Sequence, residues 1–464
     1  MQEMIMKHSR IERDSLGELE VPINALYACQ TQRAINNFPV SGQQMPQAFI
    51  RALLQAKAAA ATANGQLGQI PEKMALAICK AVETLLVDGT LMQHFPVDLY
   101  QTGSGTSTNM NANEVLATLA SNLYHHPVNA NDHINRGQSS NDIIPSVIHI
   151  SAAVMLTEEL LPALSHLAMS IRKKAKSVDR YVKTGRTHLM DAMPVRMSQS
   201  LDGWAEQIEL NIVRLQQLQP TLQTLAQGGT AVGTGINTHP DFARQFSRSI
   251  SQITGMTFTP ANNFFSQISA QDNAVALSGQ LKVTAVSIMK IANDLRWMNS
   301  GPLTGLGEIE LEPLQPGSSI MPGKVNPVIP EAAAMVAAQV IGYDSAVTIA
   351  GQSGNFELNV MLPLIANNLL KSIQLLANIS HLLADKAITS FKVNEVRLSQ
   401  DLARNPILVT ALNPIIGYKK ASEIARQAYQ EKRAIIEVAA ENTDLSIEEL
   451  TKLLDPAKLT QGGL

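Results

Sequence analysis

The sequence predicts a mainly α-helical protein organised around a central bundle of very long helices, and three observations carry that prediction. Apolar residues recur at steps of three and four over long stretches, the spacing of one helical face. Alanine and leucine supply most of the apolar side chains while aromatics make up only 4% of 464 residues, a composition suited to close helix-on-helix packing. Charged residues amount to 16% against 45% hydrophobic, so much of the surface must be covered, either in a large core or between subunits.

Taken in order, the chain opens with short β-prone pieces that can pair as hairpins, and the rest of residues 1–137 reads as a helical domain. From 151 to 176 the set Val154, Leu160, Leu161, Leu164, Leu167 and Ile171 forms an apolar stripe, with a kink expected at Pro162. From 277 to 297, Leu277, Leu281, Ala285, Ile288, Ala292 and Leu295 share one face, while Val283, Val286 and Met289 occupy others. This helix is predicted to be buried nearly all round. Residues 332–351 are alanine-rich with Met335, Val336, Val340 and Ile341. With 357–383, broken only by Pro363, they complete the long helices of a central domain spanning 138–393. Residues 394–464 alternate short helices and turns as a small C-terminal domain, where Ser446 and Glu449 fit a capping box.

Composition excludes several function classes. A net charge of −3 and a pI near 6.4 give no basic field for nucleic acid and no polybasic membrane patch. No window of 18 residues is continuously apolar, so no membrane span is expected. The N-terminal MQEMIMKHSR lacks the apolar core of a secretory leader, which points to the cytoplasm. Cys29 and Cys79 read as reduced, buried thiols.

Four islands rich in Gly, Ser, Thr and Asn interrupt the apolar background: QTGSGTSTNMNANE at 101–114, GQSSND at 137–142, GRTHLMDAMP at 185–194 and GSSIMPGKVNP at 317–327. QGGTAVGTGINTH at 227–239 is a weaker fifth. Each borders a helical run, whose free N–H groups and dipole favour an anion. Such residues are also ordinary caps and turns, yet one island embeds Lys324-x-Asn326 and another a Thr187–His188 pair. Neutral donors with a single lysine suit a carboxylate. No Gly-Lys-Ser/Thr follows GSGTS, so it is no P-loop, and neither CxxC nor HExxH occurs. His125–His126 reads as a solvated turn. Acid–base chemistry without metal or cofactor is what remains.

On these segments the chain resembles the fumarase/aspartase superfamily, whose signature loop GSSIMPGKVNP matches. Within it QTGSGT, QSSND, GRTHL, GTAVGTGINTH, SGNFELNV and LVTALNPIIGY are similar to class II, iron-independent fumarases. Aspartases typically carry GGAGTS and QSTND instead. The resemblance implies a three-domain fold with a homotetrameric helical core and active sites shared between subunits. It implies reversible hydration of fumarate to malate without cofactor, through an aci-carboxylate that the site must stabilise. It makes Ser318 the base, His188 the proton donor or water activator, and Glu331 the group that polarises His188. Lys324 and Asn326 would bind a carboxylate, with Ser104, Thr106, Ser139, Ser140, Asn141, Thr187 and Ser319 around the substrate. One departure concerns a secondary carboxylate site, where the family often has histidine at the head of an H-P-N-D segment. Here Asn129 precedes Ala130, Asn131 and Asp132, and an amide cannot become cationic. The nearest alternative activity is aspartate ammonia-lyase, which also uses fumarate. A mesaconate-type hydratase and an inert helical scaffold are the others.

Overall fold

The computed structural model describes residues 9–463; residues 1–8, part of the N-terminal stretch read for a leader, lie outside the described residues. Among the described residues helices dominate, and the strands form two-stranded ribbons. The chain divides into two compact units whose boundaries fall inside long helices.

One unit runs from the start of the described residues to Pro162 and adds Val213–Ala285 and Ala338–Ala377. It opens with the expected hairpin, Ser9–Asp14 against Gly17–Pro22. Arg10 pins this hairpin by donating to the carbonyls of Pro22, Ile23, Ala25 and Tyr27 at 2.7–3.0 Å. The Cys29–Asn37 helix starts on the Glu114 carboxylate, which accepts the N–H groups of Ala28, Gln30 and Thr31 at 2.9–3.1 Å. Those donors would otherwise lack partners at a helix start. In Gln47–Gln66 the buried Ala56, Ala59, Ala60 and Ala63 allow close approach of Glu72–Leu86, Ser140–Met155 and Phe242–Thr254.

The second unit comprises Ala163–Ile212, Val286–Ala337 and the described residues from Asn378 onward. It contains the hairpin Val182–Thr187 with Met190–Arg196 and a C-terminal set of short helices. Leu408, Leu412, Ile424, Val438 and Leu450 form the core of that set. The capping box forms: Ser446 Oγ accepts from Glu449 N at 3.2 Å, and the Glu449 carboxylate accepts from Ser446 N at 2.8 Å.

The long helices follow the periodicity with informative differences. Around Pro162 the chain stays helical through a π-helical turn at Leu156–Leu160 that leads into Leu161–Val178. The widened turn accommodates the missing proline N–H. The last long helix begins at Leu362 rather than 357, because 354–359 turn back as a tight hairpin. A Cβ at Gly354 would stand 2.1 Å from Ser269 O, so only glycine allows this hairpin to pack there. Pro363 then falls in the first helical turn, where it costs no hydrogen bond. In Asp272–Met298 the predicted face is fully buried, but Val283 is 39% and Val286 53% exposed. Only part of this helix is covered within one chain. Cys29 is buried as expected, whereas Cys79 is half-buried; both thiols are free.

By length and composition three helices could cross a membrane: Ser140–Val178, Asp272–Met298 and Val328–Gly351. Burial inside the chain covers 67% and 50% of the most apolar stretch of the first two, but only 28% of the third.

Candidate active site

The 101–114 island is shaped by two glycines. Gly105 adopts φ +73 just before the Thr106–Tyr124 helix. Gly103 packs so tightly that a Cβ would lie 1.7 Å from Val360 O. This turn brings the hydroxyls of Ser104 and Thr106 to 2.8 Å, while Gln101 Oε1 accepts both Thr108 N and Thr108 Oγ1.

Ser139 caps the Ser140–Met155 helix. Its Oγ accepts from Asn141 N at 3.1 Å, and Asp142 Oδ1 accepts from Ser139 N at 2.9 Å. Asp142 Oδ2 takes three more donors, Gln227 Nε2, Gly228 N and Thr230 N, at 2.8–3.0 Å. Burial pushes its carboxyl up to about 6, against the pull of these backbone hydrogen bonds. All four partners are N–H donors, so the pocket is built for the ionised form. One carboxylate thus docks the 227–239 island onto the 137–142 island. Ser140 Oγ accepts from Asn109 Nδ2 at 3.0 Å, and Asn141 Nδ2 donates to Ala231 O at 2.8 Å.

Behind this junction lies the fully buried Lys57, whose Nζ donates to Asn135 Oδ1 at 3.1 Å and Gln138 Oε1 at 2.9 Å. Desolvation brings its amine down to about 7, with the charge of Asp142 opposing. A cavity of about 240 Å³ opens nearby, lined by Asn131, Asp132, Arg136, Ser139 and Asn237 among others. Asn129 serves as a helix cap there, its carboxamide oxygen accepting from Asn131 N at 2.8 Å and Asp132 N at 2.9 Å.

The 185–194 island, expected to border a helical run, instead forms most of an antiparallel hairpin. Its two turn residues, His188 and Leu189, sit at φ +55 and +63. A two-residue type I′ turn requires this left-handed pair, which Asn-Gly would normally supply. An imidazole held there stores strain that the flanking strands must hold. The register shifts between Thr184 and Arg186, and a Cβ on the intervening Gly185 would meet Met193 O at 2.6 Å. Lys183 and Arg186, on either side of this bulge, both reach Glu308. Lys183 Nζ lies 2.6 Å from Oε2 and Arg186 Nη1 2.6 Å from Oε1, on a side chain only 2% exposed. Thr187 and His188 are left exposed at the hairpin tip.

The 317–327 loop closes on itself at its neck. Gly317 N donates to Lys324 O at 2.8 Å, and Asn326 Nδ2 donates to Gly317 O at 2.7 Å. A Cβ at Gly317 would stand 2.7 Å from Lys324 O, so this closure needs glycine. Ser318 Oγ accepts the N–H groups of Ile320 and Met321 at 3.2 and 3.0 Å. Ser319 is exposed. Asn326 also orients the lysine, since Lys324 Nζ donates to its Oδ1 at 2.9 Å. Lys324, Asn326 and Glu331 line one cavity of about 780 Å³ with Asn293, Arg296 and Asn299.

Three groupings result: Ser104 with Thr106; Ser139, Ser140 and Asn141 around Asp142; and Ser318 with the loop that carries Lys324 and Asn326. Among the described residues no hydrogen bond joins His188 to Ser318 or Glu331. Sequence reasoning missed Asp142, Lys57 and Glu308. The Ser139-x-x-Asp142 pattern could have flagged the first. Lys57 is a lone charge in an apolar stretch and Glu308 one of three alternate glutamates, and the partners of both lie far along the chain.

A family model described as "Lyase" matches residues 17–342, and one described as "Fumarase C C-terminus" matches 408–461. A protein of Pseudomonas aeruginosa named fumarate hydratase class II 2 is 69% identical over 459 residues, covering 99% of this chain and all of its own. A fumarate hydratase class II of Xylella fastidiosa is 58% identical, covering 100% of this chain and 98% of its own. Among solved structures, a class II fumarase from Schistosoma mansoni superposes with a TM-score of 0.94 at 36% identity, over 97% of this chain and 99% of the other. A fumarate lyase:delta crystallin from Brucella melitensis, bound to cobalt, gives 0.92 at 39% identity over the same shares.

Proposed function

Because the chain belongs to the lyase family, and within it to the class II fumarate hydratases, we infer that it interconverts fumarate and (S)-malate by reversible addition of water, a step of the tricarboxylic acid cycle. The observation that carries this reading is the end-to-end likeness to class II fumarate hydratases, which does not favour aspartate ammonia-lyase. Fumarate absorbs in the ultraviolet, so its loss can be followed with and without ammonium. Turnover without ammonium is expected. Turnover that depends on ammonium would overturn the reading.

In the malate direction a base removes a weakly acidic proton beside a carboxylate, giving an aci-carboxylate before hydroxide leaves. We assign the base to Ser318. Two backbone N–H groups already point at its Oγ, an arrangement that favours the alkoxide over the neutral hydroxyl. The Lys324 ammonium adds a full positive charge on the same loop, and Asn326 fixes its direction. Together they suit a substrate carboxylate, where each well-aimed donor to developing charge contributes roughly 3–4 kcal/mol. Ser104, Thr106, Ser139, Ser140, Asn141, Thr187 and Ser319 supply neutral donors and acceptors for the remaining substrate oxygens. His188 gives the proton to departing hydroxide, or takes one from incoming water, since an imidazole can act as either general acid or general base. Glu331 polarises that imidazole. The scheme requires no metal and no cofactor. For the secondary site the proposal carries less: Asn129 stands where the family often has an imidazole and cannot become cationic, while the nearby cavity lined by Asn131 and Asp132 also holds Arg136.

A homotetramer completes the reading, each site gathering groups from several subunits. The Val328–Gly351 helix supports it, with the large apolar side chains of Met335 68% and Ile349 58% exposed. Sedimentation should then report about four times the 50.1 kDa chain mass. Mixing inactive His188→Asn and Ser318→Ala proteins under subunit exchange should restore part of the activity. If exchange occurs and no activity returns, each site is built from one chain. The division into 1–137, 138–393 and 394–464 and a cytoplasmic location belong to the same proposal.

A further inference from the structure

Two imidazoles and a carboxylate converge at a place that none of the polar islands reaches. His166 stands on Leu161–Val178, His381 near the end of Leu362–Leu383, and Asp385 in the π-helical turn Ala384–Ile388. His381 and Asp385 are four residues apart and therefore project on the same side of their helix. His166 Nε2 lies 2.6 Å from Asp385 Oδ1. The rings of His166 and His381 have centroids 5.5 Å apart and are tilted by 37°. One donor atom from each residue lies within 4.8 Å of the other two. We propose that His166, His381 and Asp385 bind one divalent transition-metal ion.

The donor set selects the class of ion. Two neutral imidazole nitrogens and one carboxylate oxygen suit borderline ions such as Zn²⁺, Co²⁺ or Ni²⁺, whereas Ca²⁺ and Mg²⁺ prefer all-oxygen shells. Donors around such an ion sit roughly 2.0–2.2 Å from it, so the three side chains close on it by rotation about their own bonds. His381 and Asp385 are exposed, which leaves further coordination positions to water. A His–Asp bridge at a partly exposed position contributes little on its own and gives no reason for a second imidazole alongside. A shared ion does, because it clamps Leu161–Val178 to the end of Leu362–Leu383.

The test uses full-length, untagged protein stripped with chelator and titrated with ZnCl₂ by calorimetry, with CoCl₂ absorption as a second probe. The expected result is one ion per chain, a thermal midpoint raised by Zn²⁺, and a loss of affinity of about tenfold or more in His166→Ala, His381→Ala and Asp385→Asn. If the half-buried position 166 fails to fold as alanine, the exposed pair decides. Absence of Zn²⁺ and Co²⁺ binding in the unaltered protein overturns the proposal. So does binding that His381→Ala and Asp385→Asn leave unchanged.

Discussion

Replacing Glu308 by glutamine should destabilise the protein and slow catalysis together. The substitution keeps the shape of the side chain and removes one negative charge that faces two cations at 2.6 Å. At an effective dielectric near 20, each contact is a gross attraction of roughly 6 kcal/mol. Desolvation of three charged groups offsets most of that, but only while all three are present. With side-chain exposures of 9% for Lys183 and 18% for Arg186, neither cation has water enough to replace the lost partner. Removing one member of such a buried group costs about 3–5 kcal/mol. The amide oxygen still accepts one hydrogen bond, which places the expected loss at the lower end. Arg186 directly precedes Thr187 and His188, so a loosened hairpin also displaces the imidazole, and a misplacement of about 1 Å costs on the order of 10²-fold in turnover. Urea unfolding and fumarate hydration measured on the same preparations read both effects. A double-mutant cycle with Lys183→Met isolates the coupling. Glu308→Gln protein within about 0.5 kcal/mol of wild type and with unchanged turnover would refute the reasoning.

The other predictions rest on separate contacts. Ser318→Ala and His188→Asn should each lower kcat by about 10²–10⁴-fold, the range of a general acid or base, with the Ser318→Ala thermal midpoint unchanged and the His188→Asn midpoint unchanged or slightly raised, since asparagine fits the left-handed turn position. Gly103→Ala should destabilise by about 3 kcal/mol, the upper range for overpacking, since its Cβ would meet Val360 O at 1.7 Å. Gly203→Ala, with nothing within 4 Å of its Cβ, is the control and should be neutral or slightly stabilising in thermal melts. Lys57 titrates near 7 when folded against 10.5 in an unfolded reference. The unfolded chain therefore holds the extra proton across that interval, and stability rises with pH from 7 to about 10.5. The cost of burying Lys57 is fully present below 7. Against Lys57→Met the wild type should accordingly gain steadily over this window in urea titrations, and a constant difference would sink the assignment.

Helix positions are legible in this sequence because the same three-and-four spacing persists for twenty residues or more, as in Asp272–Met298. Starts and stops are less so. The hairpin at 354–359 depends on Gly354 meeting a carbonyl 85 residues earlier in the chain, at Ser269, which no local window contains. The hairpin at 182–196 escapes a local reading because its turn is His-Leu rather than Asn-Gly, and tertiary contacts impose the left-handed pair. The islands are legible as groups of polar donors. Their internal hydrogen bonds, Ser318 with Ile320 and Met321 or Lys324 with Asn326, follow from neighbouring residues. Buried charges are the opposite case. Lys57 is a single charged letter in an apolar stretch and Glu308 the first of three alternate glutamates in GEIELEP, and what buries each lies in partners 78 to 125 positions away.

Asp142 imposes an order of events on the newborn chain. Its Oδ2 receives donors from Gln227, Gly228 and Thr230, up to 88 positions downstream. At translation speeds of roughly 5–20 residues per second, those donors leave the ribosome about 4–18 s after the carboxylate does. Throughout that delay the anion must stay hydrated, so the start of the Ser140–Met155 helix cannot settle into its dry seat. An apolar segment therefore waits half-assembled on a nascent polypeptide, and chaperone dependence during synthesis is the cellular counterpart of that one four-donor cage.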